Sequence, residues 1–433
     1  MFNIKKAGST VRNEIVAGLT TFFTMSYIIV VNPIILKDAG VPFEMSFMAT
    51  VIATIVGTLI MGLFANYPIA IAPAMGLNAY FAYSVVQGHK GLGYEAAFAA
   101  VFVAGVLFVL LSLTPLRTKL IEVIPGNLKS AITAGIGLFI AFIGLRMSGL
   151  VVDHPSNLVA LGDLHSPSVI LTLVGLAITL VCLALNINGA LFIGMLGTGI
   201  IAALMGKLSF DKGIVALPRF PEQLAVSNPV TAVQDVIDFG LYAVVFSFLL
   251  VTLFDTTGTV LGVAKQAKLM DGDHLPRGER TILADSLATL IGSIFGTSPT
   301  SAYIESASGV ATGGRTGLTA VVVALLFAVS AFFSPLIGAV SGLSAITAPA
   351  LIVVGSLMMG HVAHIKWDRI DEAFPAFLVI LSMPLTSSIA TGIALGFVSY
   401  PLMKLCKGEG KQVHPLVYVF AVLFLFQLVY LPH

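Results

Sequence analysis

Apolar runs of about 17 to 25 residues recur from one end of this chain to the other, and each is long enough to cross a hydrocarbon core of about 30 Å as an α-helix. Of 433 residues, 57% are hydrophobic and only 10% charged. That balance excludes a soluble globular domain and defines an all-α polytopic membrane protein. Run length and breaker residues place spans at residues 15–36, 46–65, 70–87, 94–113, 129–150, 168–186 and 189–206. A polar connection from Lys207 to Asp238 follows. A second series then occupies residues 239–262, 281–297, 300–313, 316–336, 342–361, 372–386 and 388–406, giving about 14 transmembrane segments. Residues 415–431 form one more apolar run, which either lies at the interface or makes an extra crossing.

The basic residues give a direction. Lys5, Lys6 and Arg12, then Arg117, Lys119 and Lys129, then Lys265, Lys268, Arg277 and Arg280 share one side if every span crosses, and the positive-inside bias makes that side the cytoplasm. The chain is therefore expected in the cytoplasmic membrane with its N-terminus inside. Lys404, Lys407 and Lys411 join this side only if residues 372–406 cross twice, which predicts a break at Pro384. The first apolar run has the basic flank of a signal sequence, but Asn32 and Pro33 follow it without a small-residue cleavage site, so it reads as the first span. A net charge of +1 implies no nucleic-acid partner, and Cys182 and Cys406 read as packed free thiols.

An odd number of spans in each half puts the halves in opposite orientations, and a faint repeat accompanies this. Ala53-Thr54-Ile55-Val56-Gly57 matches Ala288-Thr289-Leu290-Ile291-Gly292. Each is followed by a Phe, a proline and a segment rich in small residues: Pro68 to Phe81 in one half, Pro299 to Gly309 in the other. Short interrupted segments at corresponding places in two halves point to a transporter's binding site. Gly292 to Arg315 also holds Glu305, inside an otherwise uncharged run, with five glycines between 292 and 314. An intramembrane charge costs roughly 2.5 to 3.5 kcal/mol on insertion scales, so such a residue marks function by default.

Asp255 is the one charge of span 8. Two buried carboxylates can exchange protons and accept N–H donors from a polar ligand; their competing reading is two satisfied acceptors tying helices together. Asn78 offers both donors and an acceptor to a heterocycle edge, or else bridges broken backbone. Thr24 either faces the same cavity or bonds its own helix. Tyr303 and Tyr80 are candidate stacking partners. No histidine pair has zinc-ligand context, and His361 and His364 sit at a span end without a carboxylate helix motif. There is no GxxxxGK[ST], HExxH or GxSxG sequence. No cofactor and no enzymatic activity is expected, and any transport must draw on a gradient.

Asn66 to Phe81 (NYPIAIAPAMGLNAYF), Phe254 to Gly262 (FDTTGTVLG), Ser298 to Gly317 (SPTSAYIESASGVATGGRTG) and Pro375 to Gly396 (PAFLVILSMPLTSSIATGIALG) resemble the AzgA-like purine permeases of the nucleobase-ascorbate transporter superfamily. The resemblance covers essentially the whole chain. It implies a seven-plus-seven inverted repeat with short extended segments in spans 3 and 10. It also implies a core domain (spans 1 to 4 and 8 to 11, within residues 1–126 and 238–336) moving as an elevator against a gate domain (spans 5 to 7 and 12 to 14, within residues 127–237 and 337–433). It implies a symporter that imports adenine, guanine or hypoxanthine with protons. Carried onto this sequence, the resemblance puts Asp255, Glu305 and Asn78 around the purine; the expected substrate-binding set adds Thr24, Ala302, Tyr303 and Ala74, with Asp255 and Glu305 expected to couple the proton. One departure is Thr252, where some members have an Asp three residues before the position of Asp255.

The expected partners are a purine nucleobase, protons and the lipid bilayer; a homodimer is compatible with the chain but not fixed by it. The competing reading is an anion transporter or channel on the same fold, with half-helix dipoles holding the anion. Two acids at the site oppose it. An intramembrane enzyme would need a nucleophile or metal set that the chain does not display.

Overall fold

The computed structural model describes residues 2–89, 91–114, 123–221, 223–270 and 275–430. Among these, nine helical stretches are long and apolar enough to cross a membrane. The first quarter comprises α1 (Val11–Met25), α2 (Ile28–Asp38), α3 (Phe43–Ile60), the strand β1 (Ile71–Pro73), the short helix α4 (Met75–Ala79) and α5 (Tyr94–Ser112). α3 and α4 each run on into a wider π-helical turn, Met61–Ala65 and Tyr80–Val86. Next come α6 (Gly126–Met147), a hairpin of β2 (Val151–His154) and β3 (Leu158–Leu161), α7 (Pro167–Ala184), α8 (Ala190–Leu204) and α9 (Pro229–Asp238).

The second half again places a strand and a short helix after two longer helices: α10 (Tyr242–Gln266), α11 (Gly278–Phe295), β4 (Thr300–Ala302), α12 (Ser306–Ala311), α13 (Gly317–Ser330), α14 (Ser334–Val340), α15 (Ser344–Met358), α16 (Ile370–Thr386), α17 (Ile389–Cys406) and α18 (Pro415–Tyr430). The most extensive helix packing falls into two groups. In one, α5 lies on α11, α11 on α3, α3 on α13 and α13 on α1; in the other, α6 packs on α15 and α16, α7 on α8 and α15, and α17 on α16 and α18.

The repeated pentapeptides meet each other. A Cβ added at Gly57 would lie 2.6 Å from the Cβ of Ala288, and one added at Gly292 would lie 3.1 Å from that of Ala53. Each glycine of one copy thus receives the alanine of the other, as a two-fold relation between the halves requires. The second packing group has its own reciprocal crossing, where Gly137 of α6 and Gly355 of α15 each face the other's backbone carbonyl. Small residues here let helix backbones approach closely where lipid supplies no hydrophobic drive. Gly57→Val would force atoms into Ala288 and into Ile71, whose Cγ2 is 2.9 Å from the added Cβ. Overpacking of this kind costs about 1 to 3 kcal/mol, so a lowered thermal midpoint in detergent is expected, and an unchanged midpoint would show that the crossing is loose.

Several details differ from the sequence-based expectation. The first span is broken at Ser26 and Tyr27, while Pro33 is accommodated inside α2. The expected break at Pro384 falls instead at Ser387, whose φ is +50°: Pro384 sits within α16, and Ser388 caps α17 by accepting from the Thr391 N–H. β2 and β3 form an antiparallel hairpin that an all-α reading did not include. Cys182 is buried but Cys406, at the end of α17, is exposed. Arg117 and Lys119 lie outside the described residues, as does the last residue of the 415–431 run. α18 packs on α17, and its Phe420 and Phe424 rings meet Phe246 and Phe397.

Lys404 and Lys407 do more than mark a side. Lys404 Nζ is 2.5 Å from Asp371 and 2.7 Å from Glu372, Lys407 Nζ is 2.7 Å from Asp371, and Arg369 reaches both Asp371 and Glu409. The Asp371 carboxylate beside Lys407 holds its ammonium above its ordinary value. Three cations and three acids tie the start of α16 to the end of α17.

Candidate functional site

The centre of the molecule is a ribbon of two three-residue strands. β1 and β4 pair antiparallel, with Ile71 opposite Ala302, Ala72 opposite Ser301 and Pro73 opposite Thr300. Extended backbone inside a membrane must have its N–H and C=O groups satisfied by protein. Helix hydroxyls do this: the Ile71 N–H donates to Thr58 Oγ1 (3.0 Å), the Thr300 N–H to Thr289 Oγ1 (3.1 Å), the Ala70 N–H to Ser306 Oγ (3.1 Å) and the Ala302 N–H to Thr256 Oγ1 (3.3 Å). The Ala74 and Tyr303 N–H groups continue the pairing to Pro299 O and Ala70 O. Each strand then enters a short helix, α4 or α12, so the proline-led stretches of the two halves become one unit. The extended segments expected in spans 3 and 10 are these strands.

Glu305 immediately precedes α12, and its Oε1 accepts a 2.7 Å hydrogen bond from the Tyr27 hydroxyl in the α1–α2 break. Asp255 of α10 is partly exposed and neighbours Ser301 of β4, and its charge reaches both Glu305 and Tyr303. Tyr303 donates from its hydroxyl to Pro73 O at 2.6 Å, bridging the two stretches. Asn78 of α4 is fully buried and donates to the side chain of Asn32 at 3.0 Å. Its amide therefore meets another amide, not broken backbone. Ala74 and Ala302 belong to the ribbon itself.

The remaining candidates lie apart in their contacts. Thr24 donates to Thr20 O at 2.6 Å, one turn back on its own helix. Tyr80 packs edge-on against Phe248, ring centroids 5.2 Å apart. Thr252, where the sequence departs from some relatives, spends its hydroxyl on Phe248 O. The rings of His361 and His364 are 6.0 Å apart, and among the described residues no group of three or more side chains could hold a metal ion.

Four groups escaped the sequence reading. Asp285 of α11 is fully buried, and its oxygens accept from the hydroxyls of Thr256 and Thr300, the latter at 2.7 Å. Glu14 of α1, also fully buried, caps α13 by accepting from the Arg315 and Thr316 N–H groups (3.0 and 3.2 Å) and from the Thr319 hydroxyl (2.5 Å). Tyr27 and Asn32 complete the set. Both acids were visible in the sequence, Asp285 inside the 281–297 run and Glu14 one residue before the 15–36 run, but neither was singled out.

Chemically, the groups around the ribbon are rich in acceptors: two carboxylates and the Asn78 amide, with the nearby tyrosine hydroxyls already committed. Such a site suits a neutral, N–H-bearing heterocycle. A family model described as "Permease family" matches residues 12–395. The chain belongs to the permease family. This permease is 64% identical over 429 residues to the guanine/hypoxanthine permease PbuO of Bacillus subtilis, covering 99% of both chains. It is 42% identical over 432 residues to the adenine permease AdeP of Escherichia coli, covering 100% of this chain and 96% of AdeP. Among solved structures, the transmembrane domain of the cyanobacterial bicarbonate transporter BicA superposes with a TM-score of 0.64 at 16% identity, covering 88% of this chain and 96% of that one. SLC26A9 gives 0.64 at 13% identity, covering 92% and 66%. The resemblance in the motifs is thereby upheld, and the permease shares the fold of those transporters.

Proposed function

We propose that this permease is a proton-coupled symporter that imports purine nucleobases (hypoxanthine, guanine or adenine) across the cytoplasmic membrane by alternating access. The observation that carries the reading is the placement of Glu305 and Asp255 beside the β1–β4 ribbon, where the half-helices of both repeats begin. Relatives named for guanine, hypoxanthine and adenine cover nearly the full chain, which supports a purine as the substrate. Glu305, Asp255 and Asn78 receive the base, with Ala74, Ala302 and Tyr303 lining its surroundings; Thr24, whose hydroxyl bonds Thr20 O, would contribute no hydrogen bond to it. Asp255 and Glu305 share the coupling proton.

The reciprocal glycine crossings support an inverted repeat; the proposed seven-plus-seven count of about 14 segments and the cytoplasmic N-terminus rest on run lengths and on the positive-inside bias. The two packing groups support a division into a core domain (residues 1–126 and 238–336) and a gate domain (127–237 and 337–433), of which the first moves against the second in the transport we propose. The test is uptake of radiolabelled hypoxanthine, guanine and adenine into liposomes holding the purified protein, with and without an inward proton gradient. Sulfate and chloride serve as the competing cargo: anion uptake without purine uptake would replace this reading with an anion carrier.

Asn78→Ala is expected to weaken purine binding by about 1 to 2 kcal/mol while inserting normally, since a hydrogen-bonding group of the site is lost. Direct binding to the detergent-purified variant checks this, and wild-type affinity would take Asn78 out of the site.

A further inference from the structure

We propose that Asn32 is a positioning residue that fixes Asn78 as a hydrogen-bond acceptor, so that the span 3 side of the site recognises an N–H on the bound base. This rests on the purine reading above. An amide's two ends look alike in shape, and which end points where follows from the hydrogens around it.

Those hydrogens can be traced from a fixed point. Thr50 Oγ1 lies 2.6 Å from Ser46 O, a backbone carbonyl that only accepts, so the single hydroxyl proton of Thr50 is committed there. Toward Asn32, Thr50 can then only accept. The Asn32 amide end 2.7 Å away must therefore be its NH₂, whose second hydrogen goes to Thr297 Oγ1 at 2.8 Å. Asn32 Oδ1 is left facing Asn78 at 3.0 Å and also accepts from Ser298 Oγ at 3.4 Å. Asn78 must meet that oxygen with its own NH₂, whose other hydrogen is directed at Met75 Sδ at 3.9 Å. Both Asn78 hydrogens are spent.

What remains is Asn78 Oδ1, a buried acceptor without a hydrogen-bond partner among the described residues. A buried polar atom left unpaired is costly, and a ligand donor that pairs with it gains that cost back. Asn32, Thr50, Asn78, Thr297 and Ser298 are all fully buried, so solvent does not compete for these bonds. The chain Ser46–Thr50–Asn32–Asn78 passes the polarity of one backbone carbonyl, through three helices, to the recognition group. With Asp255 and Glu305, the site then presents acceptors and no free donor from these three residues.

The experiment measures dissociation constants of wild type, Asn32→Leu, Asn32→Asp and Thr50→Val for hypoxanthine and for its 1-, 7- and 9-methyl derivatives, with the thermal midpoint of each variant. The readout is the affinity ratio of hypoxanthine to each derivative, which a loss of general packing would leave unchanged. Asn32→Leu removes the acceptor for Asn78, so the ratio for the derivative methylated at the nitrogen meeting Asn78 is expected to fall by about fivefold to tenfold. Asn32→Asp keeps an acceptor oxygen for Asn78 and retains the wild-type ratio. Thr50→Val removes the fixed point and shifts the same ratio in the same direction by less. Wild-type ratios in Asn32→Leu overturn the proposal, and if that variant does not fold, wild-type ratios in Thr50→Val do so. Absence of any purine binding by the wild type overturns the purine reading, and this inference with it.

Discussion

Glu305→Gln is expected to lower purine affinity by about 10- to 100-fold, because a hydrogen bond to a charged acceptor contributes about 1.5 to 3 kcal/mol and about 1.4 kcal/mol is a factor of ten. The amide keeps the size of the side chain and can still accept from Tyr27 through its oxygen, so the α1–α2 break that Tyr27 occupies should stay tied to α12. What the amide loses is the charge, and it gains an NH₂ where an N–H-bearing ligand needs an acceptor. Binding of labelled hypoxanthine to the purified variant is the measurement. Unchanged affinity would remove Glu305 from the site.

Asp255→Asn is expected to keep at least partial purine binding and counterflow while abolishing accumulation driven by a proton gradient. Moving an unpaired charge through an apolar barrier costs several kcal/mol, so a carrier whose central acid must be neutralised before it moves is coupled to the proton by that cost alone. The amide imitates the neutral acid permanently. Three acids surround the ribbon, and their surroundings separate them. Asp285 is fully buried with its oxygens held by Thr256 and Thr300, whereas Asp255 and Glu305 are both only partly buried. Asp285→Asn is accordingly expected to impair folding rather than coupling. Glu305 interacts with Asp255 electrostatically, so under the proposed coupling the two acids titrate as a pair. Gradient-driven uptake and counterflow measured in the same liposomes distinguish the cases. If Asp255→Asn concentrates purine as well as the wild type, the coupling residue is another acid.

The site's outline was legible wherever local chemistry conflicted with the membrane. Glu305 and Asp255 stood out as charges in apolar runs, and Pro68 and Pro299 marked short interrupted segments, whose extended character was implied by the family resemblance and is seen in β1 and β4. The pentapeptide repeat was a weak match until Gly57 met Ala288 and Gly292 met Ala53. What stayed hidden depends on partners distant in sequence. Asn32 looked like a polar residue closing the first span, because Thr50 and Thr297, which hold it, lie 18 and 265 positions away. Glu14 fell just outside the 15–36 run and drew no notice, since the α13 N-terminus that it caps begins some three hundred residues later. The break after Pro384 was placed three residues early, because a proline is conspicuous and a serine with positive φ is not.

The paired glycines have a consequence for how sequences of this kind can drift. Positions 53 and 292 share one small space, and 57 and 288 share another, so the side-chain volume that fits is limited for each pair jointly rather than for either member. An enlargement at 53 is tolerated only while 292 remains glycine, and an exchange of the two members needs a third change as well, because a Cβ at 292 also meets Thr297 Cγ2 (2.8 Å) and one at 57 meets Ile71 Cγ2 (2.9 Å). Substitutions at these four sites should therefore appear in compensating couples, linking columns 239 and 231 residues apart that no local feature of the chain connects.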